Sequence, residues 1–405
     1  MSFWADPLHW IEQWLQQMLL NAGLSPALTQ FVLFVAGAFL LATFAMLYVT
    51  FLIWLERKVI ARIQDRLGPN RVGPWGLFQP LADMLKIFTK ELITPEGADR
   101  VPYNLAPILS VASVLMIWAV IPFSLTVYGV DLNVGVLYII ATGGLGLFSI
   151  LMAGWGSNNK YALLGGFRAV AQLISYEVPM VVSLLVPVML SGSMGMNDIT
   201  RAQSIWYVLL SPLAALIFFL TSVAEVGRAP FDLVEAESEL VAGFNIEYSG
   251  LKFGMFFVAE FLHAFTISLL FATIFLGGWR GPGAETYPVL GFVYYLLKTS
   301  LAYFLVILMR GTLPRLRIDQ MMDFNWKLLT PVSLVVVIFT ALAAKLVQGA
   351  GSWVLLAVLL PLNLLIGAVT LEIVRRRVFR RRRLLVGPKQ YTIPQQVVSM
   401  PPEEG

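Results

Sequence analysis

The sequence predicts an all-α, polytopic integral membrane protein with about nine transmembrane helices and further amphipathic helices at the membrane interface. Hydrophobic residues make up 58% of the 405 residues, and only 13% are charged. Apolar runs of about 20 residues recur along the chain, which is the length that a helix needs to cross a bilayer. Because backbone polar groups in lipid need partners within their own segment, each run is predicted to be helical.

Nine such runs are predicted to span the membrane. They are apolar on all faces, whereas the helices of a large soluble helical protein, the alternative interpretation, would carry amphipathic stripes. In chain order the runs cover residues 31–55, 104–123, 134–153, 169–190, 205–224, 251–276, 288–309, 328–346 and 353–373.

Composition divides the chain into four predicted regions. Trp10 and Trp14 stand one helical turn apart near the N-terminus, as expected of a helix that lies in the membrane interface. The predicted regions are an amphipathic N-terminal segment on the periplasmic side (1–30), a membrane core with cytoplasmic loops 56–103, 225–252 and 310–327 (31–350), an extra C-terminal transmembrane helix (351–374) and a basic, partly disordered cytoplasmic tail (375–405).

The distribution of lysine and arginine predicts the orientation. If the spans alternate and the N-terminus lies outside, 24 basic residues fall on the inner side and three on the outer side. The positive-inside rule then predicts a multi-pass protein of the cell (inner or plasma) membrane, with a cytoplasmic C-terminus. The net charge of +4 comes mostly from the tail arginines, which predicts contact with anionic lipid headgroups rather than with nucleic acid.

The residue types limit the chemistry of this chain. It has no cysteine, which excludes a cysteine-ligated iron–sulfur cluster, a disulfide and a thiolate nucleophile. It has only two histidines, His9 and His263, and no glycine-rich phosphate loop. We therefore expect no metal, redox centre or nucleotide on this chain, so that any electrons are carried by a partner.

The first cytoplasmic loop holds a predicted amphipathic helix. Leu81, Leu85 and Phe88 recur at the spacing of one helix face, and Asp83 falls on another. Such a helix suits the membrane interface, and it also suits the rim of an entrance for a lipid-soluble substrate. The spacing alone favours the first interpretation, and the two are compatible.

Four ionisable groups lie within predicted spans. Glu177 lies nine residues past Arg168, and Glu260 lies nine residues past Leu251. Each is therefore about 14 Å deep in an apolar layer of about 30 Å. His263 follows Glu260 by three residues and shares its face. These groups are either structural or members of a proton relay, and their depth favours the relay. A buried ammonium needs a partner, so we expect Lys298 to pair with Glu260 or Glu177.

The segment 225–252 differs most from its surroundings. Pro230 is predicted to start a helix on which Asp232, Glu235 and Glu239 share one face. Apolar residues between them predict packing against protein rather than a solvated acidic face, and close carboxylates titrate as a group. The segment has two basic residues and six carboxylates, namely Glu225, Asp232, Glu235, Glu237, Glu239 and Glu247.

Four motifs between residue 56 and about residue 327 resemble one known family. They are Glu56-Arg57-Lys58 with residues 65–74 and 79–83, then residues 160–165 with 174–177, then residues 228–250, and then residues 310–320. Together they resemble a membrane-arm subunit of respiratory complex I, the proton-translocating NADH:quinone oxidoreductase. It is called the H subunit in bacteria and NADH dehydrogenase subunit 1 in mitochondria.

The resemblance implies a translocase subunit at the junction with the peripheral arm. Such a subunit forms much of the chamber for quinone, and an acidic path couples quinone reduction to proton pumping by antiporter-like neighbours. Quinone, for example ubiquinone, is then a substrate. Flavin, iron–sulfur clusters and the NAD chemistry are expected on partner subunits, and membrane lipids are further partners.

The resemblance also assigns site residues. The family's acidic path corresponds to Glu177, Glu225, Arg228, Asp232, Glu235, Glu237, Glu247 and Glu260, to which the residues themselves add Glu239, His263 and Lys298. The expected quinone chamber comprises Glu56, Arg57 and Asp83 at family positions, together with Arg62, Leu81, Leu85, Phe88, Arg310 and Arg315.

The chain departs from the family at three places. Val226-Gly227 replaces the usual Thr-Asn, Val234 replaces a proline, and the ninth run lies beyond a core of eight spans. Two other functions stay open from the sequence. One is a homologous anchor subunit of a membrane-bound hydrogenase, which needs no quinone. The other is a free-standing ion transporter, which the lack of an internal repeat disfavours.

Overall fold

The computed structural model describes residues 7–385 except 235–238, 240, 348 and 350, and side chains only between residues 10 and 376. This part of the chain is predominantly helical and contains no strand, which confirms the predicted all-α class. Its helices are α1 (Pro7–Asn21), α2 (Pro26–Ile63), α3 (Gln79–Thr89), α4 (Arg100–Trp118), α5 (Gly135–Gly156), α6 (Lys160–Ser191), α7 (Met196–Ala202), α8 (Tyr207–Leu210), α9 (Pro212–Glu225), α10 (Gly250–Phe275), α11 (Pro288–Thr312), α12 (Ile318–Phe324), α13 (Thr330–Leu346) and α14 (Ser352–Leu385).

Eight helices in the described ranges are long and apolar enough to cross a membrane, so the chain is a multi-pass membrane protein. One of them, Ile318–Leu346, joins α12 and α13 through a π-helical turn at Asn325–Leu329. The others are α2, α4, α5, α6, α10, α11 and α14.

The predicted run 205–224 is not one continuous helix. The backbone leaves the helical region at Ser211, with φ −137° and ψ 72°, and this divides the run into α8 and α9. Pro212 explains the break, because the ring of a proline disfavours helical backbone at the residue before it. The eight long helices and this broken one together correspond to the nine predicted runs.

Helix α10 lies at the centre of the molecule. Every residue from 264 to 275 is buried, and the helix packs against α2, α3, α4, α9 and α11. Large aromatic side chains fill this core, among them Phe265 and Phe275. The preceding turns of α10 carry Glu260 and His263, which line one cavity together with residues of the turn after α9.

The predicted helix does not start at Pro230, because the described residues 230–234 are not helical; residues 235–238 and 240 lie outside the described residues. The backbone instead makes tight turns, in which Phe231 N donates to the Arg228 carbonyl at 2.8 Å. Leu316 N donates to the Pro230 carbonyl at 3.0 Å, which joins this segment to the loop after α11. The side chains of Phe231 and Leu233 are buried. These tertiary contacts outweigh a weak local helix preference.

The predicted amphipathic helix of the first loop is α3. Ile87 packs against Gly254 of α10, where an added Cβ would lie 2.8 Å from the Ile87 side chain. The face with Leu81, Leu85 and Phe88 points away from the chain, and Leu85 is 66% exposed. A partner, lipid or an apolar substrate can therefore contact this face.

Candidate functional site

The candidate site is built around Arg228, which is 2% exposed and lies in the turn after α9. Its Nη1 donates to Glu56 Oε1 at 2.5 Å, and its Nε lies 3.0 Å from Glu260 Oε1. The Nε contact is an ion pair without hydrogen-bond alignment. The guanidinium also lies 4.3 Å from the centroid of the Phe261 ring, a cation–π contact. One planar guanidinium therefore joins two carboxylates through two different nitrogens.

Charge keeps Arg228 ionised in spite of its burial. Burial by itself lowers the pKa of Arg228, but the neighbouring Glu56 and Glu260 carboxylates raise it above its ordinary value. The residue is therefore a fixed positive charge, while its Nη2 has no hydrogen-bond partner among the described residues. This donor can bind a water molecule or an oxygen of a substrate.

Glu56 is the second centre of the network and is 3% exposed. Besides Arg228, it accepts hydrogen bonds from Arg310 Nη1 and, at 3.1 Å, from the Tyr303 hydroxyl. Tyr303 and Arg310 lie seven residues apart on α11 and thus on one face of that helix. Two cations and a hydroxyl around one carboxylate offset the cost of removing it from water.

A cavity of about 110 Å³ lies beside this network. That volume has room for several water molecules where polar groups line it. Its ionisable lining consists of Glu225, Arg228, Asp232, Glu260, His263 and Arg310. Six helices, namely α4, α5, α6, α9, α10 and α11, and the turn after α9 contribute to the walls, so groups that are far apart in the sequence share one polar space.

Glu225 and His263 lie beside each other in the lining of this cavity. His263 Nε2 lies 3.8 Å from Glu225 Oε1. Both residues also line a second cavity of about 30 Å³, whose other walls are apolar except for Ser222. Glu177 on α6 is not among the described residues that line the two cavities.

A second ion pair adjoins the network at the loop side. Arg57 Nη1 lies 2.6 Å from Asp83 Oδ2 on α3, and Lys86 lies 3.7 Å from Oδ1 of the same carboxylate. Burial by itself raises the pKa of Asp83, but the hydrogen bond and charge of Arg57 outweigh it and lower this pKa. Since Arg57 follows Glu56 directly, the two ion-pair systems are adjacent.

Two further carboxylates of the segment 225–252, Glu239 and Glu247, contact residues outside this segment. Glu239 lies 2.6 Å from Arg168 and 3.4 Å from Arg315, and the hydrogen bond from Arg168 lowers the pKa of Glu239. Glu247 accepts a hydrogen bond from Asn159 Nδ2 at 2.7 Å. Both residues lie outside the lining of the cavity.

The structure thus brings together two groups that the sequence separated. Glu56, which was expected in a quinone chamber together with Arg310, contacts both Arg310 and Arg228, and Arg228 was expected in the acidic path. Tyr303 and Phe261 complete the network and were missed, although Tyr303 shares a helix face with Arg310. Arg62 is exposed, and Glu235 and Glu237 lie outside the described residues.

The prediction that Lys298 pairs with Glu260 or Glu177 is wrong. Its Nζ donates to the carbonyls of Gly278 and Arg280 at 2.9 and 2.7 Å and lies 5.3 Å from the Trp206 ring. Within the described ranges no carboxylate lies within 4.0 Å of it. Helical side chains lean towards the N-terminus of their helix, so Lys298 reaches back to the loop after α10. It does not join the buried network.

Comparisons with known proteins show the family to which the chain is similar. A sequence profile of the family described as NADH dehydrogenase matches residues 36–341. A relative from Dehalococcoides mccartyi, named as the H subunit of NADH-quinone oxidoreductase, is 47% identical over 315 residues, which cover 78% of this chain and 88% of the relative. A protein of the same name from Anoxybacillus flavithermus is 46% identical over 328 residues, covering 80% and 97%. Another of that name, from Geobacillus kaustophilus, is 46% identical over 333 residues, covering 82% and 98%.

Proposed function

This chain belongs to the H-subunit family of NADH-quinone oxidoreductase and is a membrane subunit of that enzyme complex, and we propose that it forms much of the quinone chamber and an acidic path that couples quinone reduction to proton translocation. The observation that carries the proposal is the position of Arg228. It joins Glu56, beside the proposed chamber, to Glu260, in the proposed path.

Coupling follows from electrostatics. Reduction of a quinone to a quinol takes up two electrons and two protons. The two electrons by themselves leave a dianion, so the charge next to Glu56, Arg57 and Asp83 changes until the protons follow. Two unit charges 3.0 Å apart interact by about 5 kcal/mol at an effective dielectric constant of about 20. A change in the charge near Glu56 therefore alters how strongly Arg228 holds Glu260, on a scale that is sufficient to shift a proton equilibrium.

The cavity supplies the next step. Glu260, Asp232, Glu225 and His263 share it, and its volume allows water between them. A group can pass a proton directly or through one water molecule when the heavy atoms are within such reach. We propose that protons move from the loop side through Glu260 and Glu225 towards Glu177 and then to antiporter-like subunits.

The proposed cofactors, substrate and membrane rest on the family to which the chain belongs. Redox centres, flavin and iron–sulfur clusters, belong to partner subunits of the peripheral arm, and quinone is the substrate at the loops of this chain. The exposed apolar face of α3 is proposed as part of the entrance for the quinone tail. The membrane is the cell (inner or plasma) membrane, with the N-terminus outside. Sensitivity to quinone-site inhibitors would separate this function from a hydrogenase anchor.

Replacement of Glu225 and Glu260 tests the path. Gln keeps the size and hydrogen-bonding capacity of Glu and removes its titration, so Glu225→Gln and Glu260→Gln should assemble with strongly reduced quinone reduction and proton transport. Glu225→Asp should keep part of both activities. Glu285→Gln is the matched control, because Glu285 is an exposed loop residue far along the chain from the cavity.

Assembly, electron transfer and proton uptake are to be measured in the same membranes. Full activity of both Gln variants would refute the relay. Loss of assembly alone would assign Glu225 and Glu260 a structural role.

A further inference from the structure

Helix α14 is an addition to the family core that packs along the broken helix. It lies beyond the residues that match the family profile. Its buried residues Leu359, Asn363 and Ile366 stand at the spacing of one helix face. This face packs against α8, α9 and α13. The side chain of Leu364, on another face, is 58% exposed.

Asn363 meets the break between α8 and α9. It is 1% exposed, and its Oδ1 accepts a hydrogen bond from the Ser211 hydroxyl at 3.0 Å. Its Nδ2 donates to the carbonyl of Leu359 at 3.0 Å and, more weakly, to that of Leu210 at 3.5 Å. A break in a helix frees backbone carbonyls, and within a membrane these need partners from protein or water.

Two hydrogen bonds show that α14 runs parallel to the broken helix. The Ser204 hydroxyl contacts Ser352 at the start of α14 at 2.9 Å, and Ser211 contacts Asn363 eleven residues later. The same helix therefore holds the segment before the break and the residue at the break. Because Ser211 lies at the point where the chain changes direction, this contact restrains the angle between α8 and α9.

We propose that Asn363 is a positioning residue for the proton path and acts on Glu225 through α9. The inference rests on the proposed function of Glu225. Helix α9 has 14 residues and ends at Glu225, so it is a rod of about 20 Å. A tilt of about 5° at the break would move Glu225 by about 2 Å along such a rod. That displacement is large compared with the 3.8 Å that separates Glu225 from His263.

The test uses the assembled complex in membranes. Asn363→Leu removes the polar contacts at similar volume, Asn363→Gln keeps the amide, and Leu364→Ala is the control on the exposed face. Asn363→Leu should reduce quinone reduction and proton uptake together by at least threefold. Asn363→Gln should recover most of the activity, and Leu364→Ala should leave it unchanged.

A double variant separates positioning from general stability. If Asn363 acts through Glu225, adding Asn363→Leu to Glu225→Gln should cause no further loss, whereas an independent structural effect would multiply the two losses. Ser211→Ala removes the hydrogen bond between Ser211 and Asn363 without changing Asn363. If Asn363→Leu does not assemble, the activity of Ser211→Ala decides whether this hydrogen bond positions Glu225.

Two results would overturn the inference, namely unchanged activity in Asn363→Leu or Ser211→Ala, or multiplied losses in the double variant. Full activity of both Glu225→Gln and Glu260→Gln would instead refute the proposed function itself. Normal activity of the Asn363 variants beside an impaired Glu225→Gln would refute only the positioning role.

Discussion

Replacement of Glu56 by Gln should destabilise the complex through excess positive charge. The network contains two carboxylates, Glu56 and Glu260, and two guanidinium groups, Arg228 and Arg310, of which Glu56 and Arg228 are buried. Glu56→Gln leaves the two cations with Glu260 alone, so the network changes from neutral to a net charge of +1. Removing one partner of a buried ion pair costs about 3–5 kcal/mol, because a buried charge is left uncompensated.

The charge count predicts a rescue. The double variant Glu56→Gln/Arg310→Met is neutral again and keeps the Arg228–Glu260 pair, so it should be more stable than Glu56→Gln alone. Arg310 is about one-third exposed, so we expect recovery of part of the lost stability and not all of it. Glu56→Asp keeps the charge and should lie between wild type and Glu56→Gln.

The assay is the rate of thermal inactivation of the assembled complex, since large membrane complexes rarely unfold reversibly. A loss of about 3 kcal/mol would raise that rate by up to about 10²-fold, if the interaction is absent from the transition state. Equal rates for wild type and Glu56→Gln would refute the charge argument. So would additive losses in the double variant.

Three further predictions concern the surroundings of the network. The pKa of Asp83 is lowered, so its bond with Arg57 stabilises the protein at any pH above the ordinary Asp pKa of 3.8. This stabilisation is lost as the pH falls through the lower pKa of the folded state. The difference in the rate of thermal inactivation between wild type and Asp83→Asn should therefore be present at pH 7 and should disappear at a pH below 3.8. Lys298→Met leaves two carbonyls without their donor and should destabilise the complex by about 1–3 kcal/mol while the ratio of protons to electrons is unchanged; a fall in that ratio would contradict a purely structural role. Leu85→Gln should raise the apparent KM for a long-tailed quinone more than for a short-tailed one, since only the tail needs an apolar path; equal effects would leave α3 as an interfacial helix.

The sequence was sufficient for properties that depend on local composition. Each apolar run of about 20 residues must be helical in lipid whatever lies beside it, because no other backbone form satisfies its own polar groups there. The helix α3 also follows from its spacing. Even the break at Ser211 has a local cause in Pro212. It was not predicted, because the run 205–224 is predominantly apolar.

Side-chain partners depended on the tertiary structure. The backbone brings Glu56 of α2, Arg228 and Arg310 of α11 to one point, although more than 80 residues separate each from the next in the sequence. Motifs indicated that these residues matter, but they assigned Glu56 and Arg228 to different sites. Lys298 was misjudged for the same reason, because its donors are satisfied by a loop that only the packing of α10 and α11 brings within reach. Local rules determine which segments enter the membrane, whereas the partner of a buried charge is whichever group the packed helices place within a few ångströms of it.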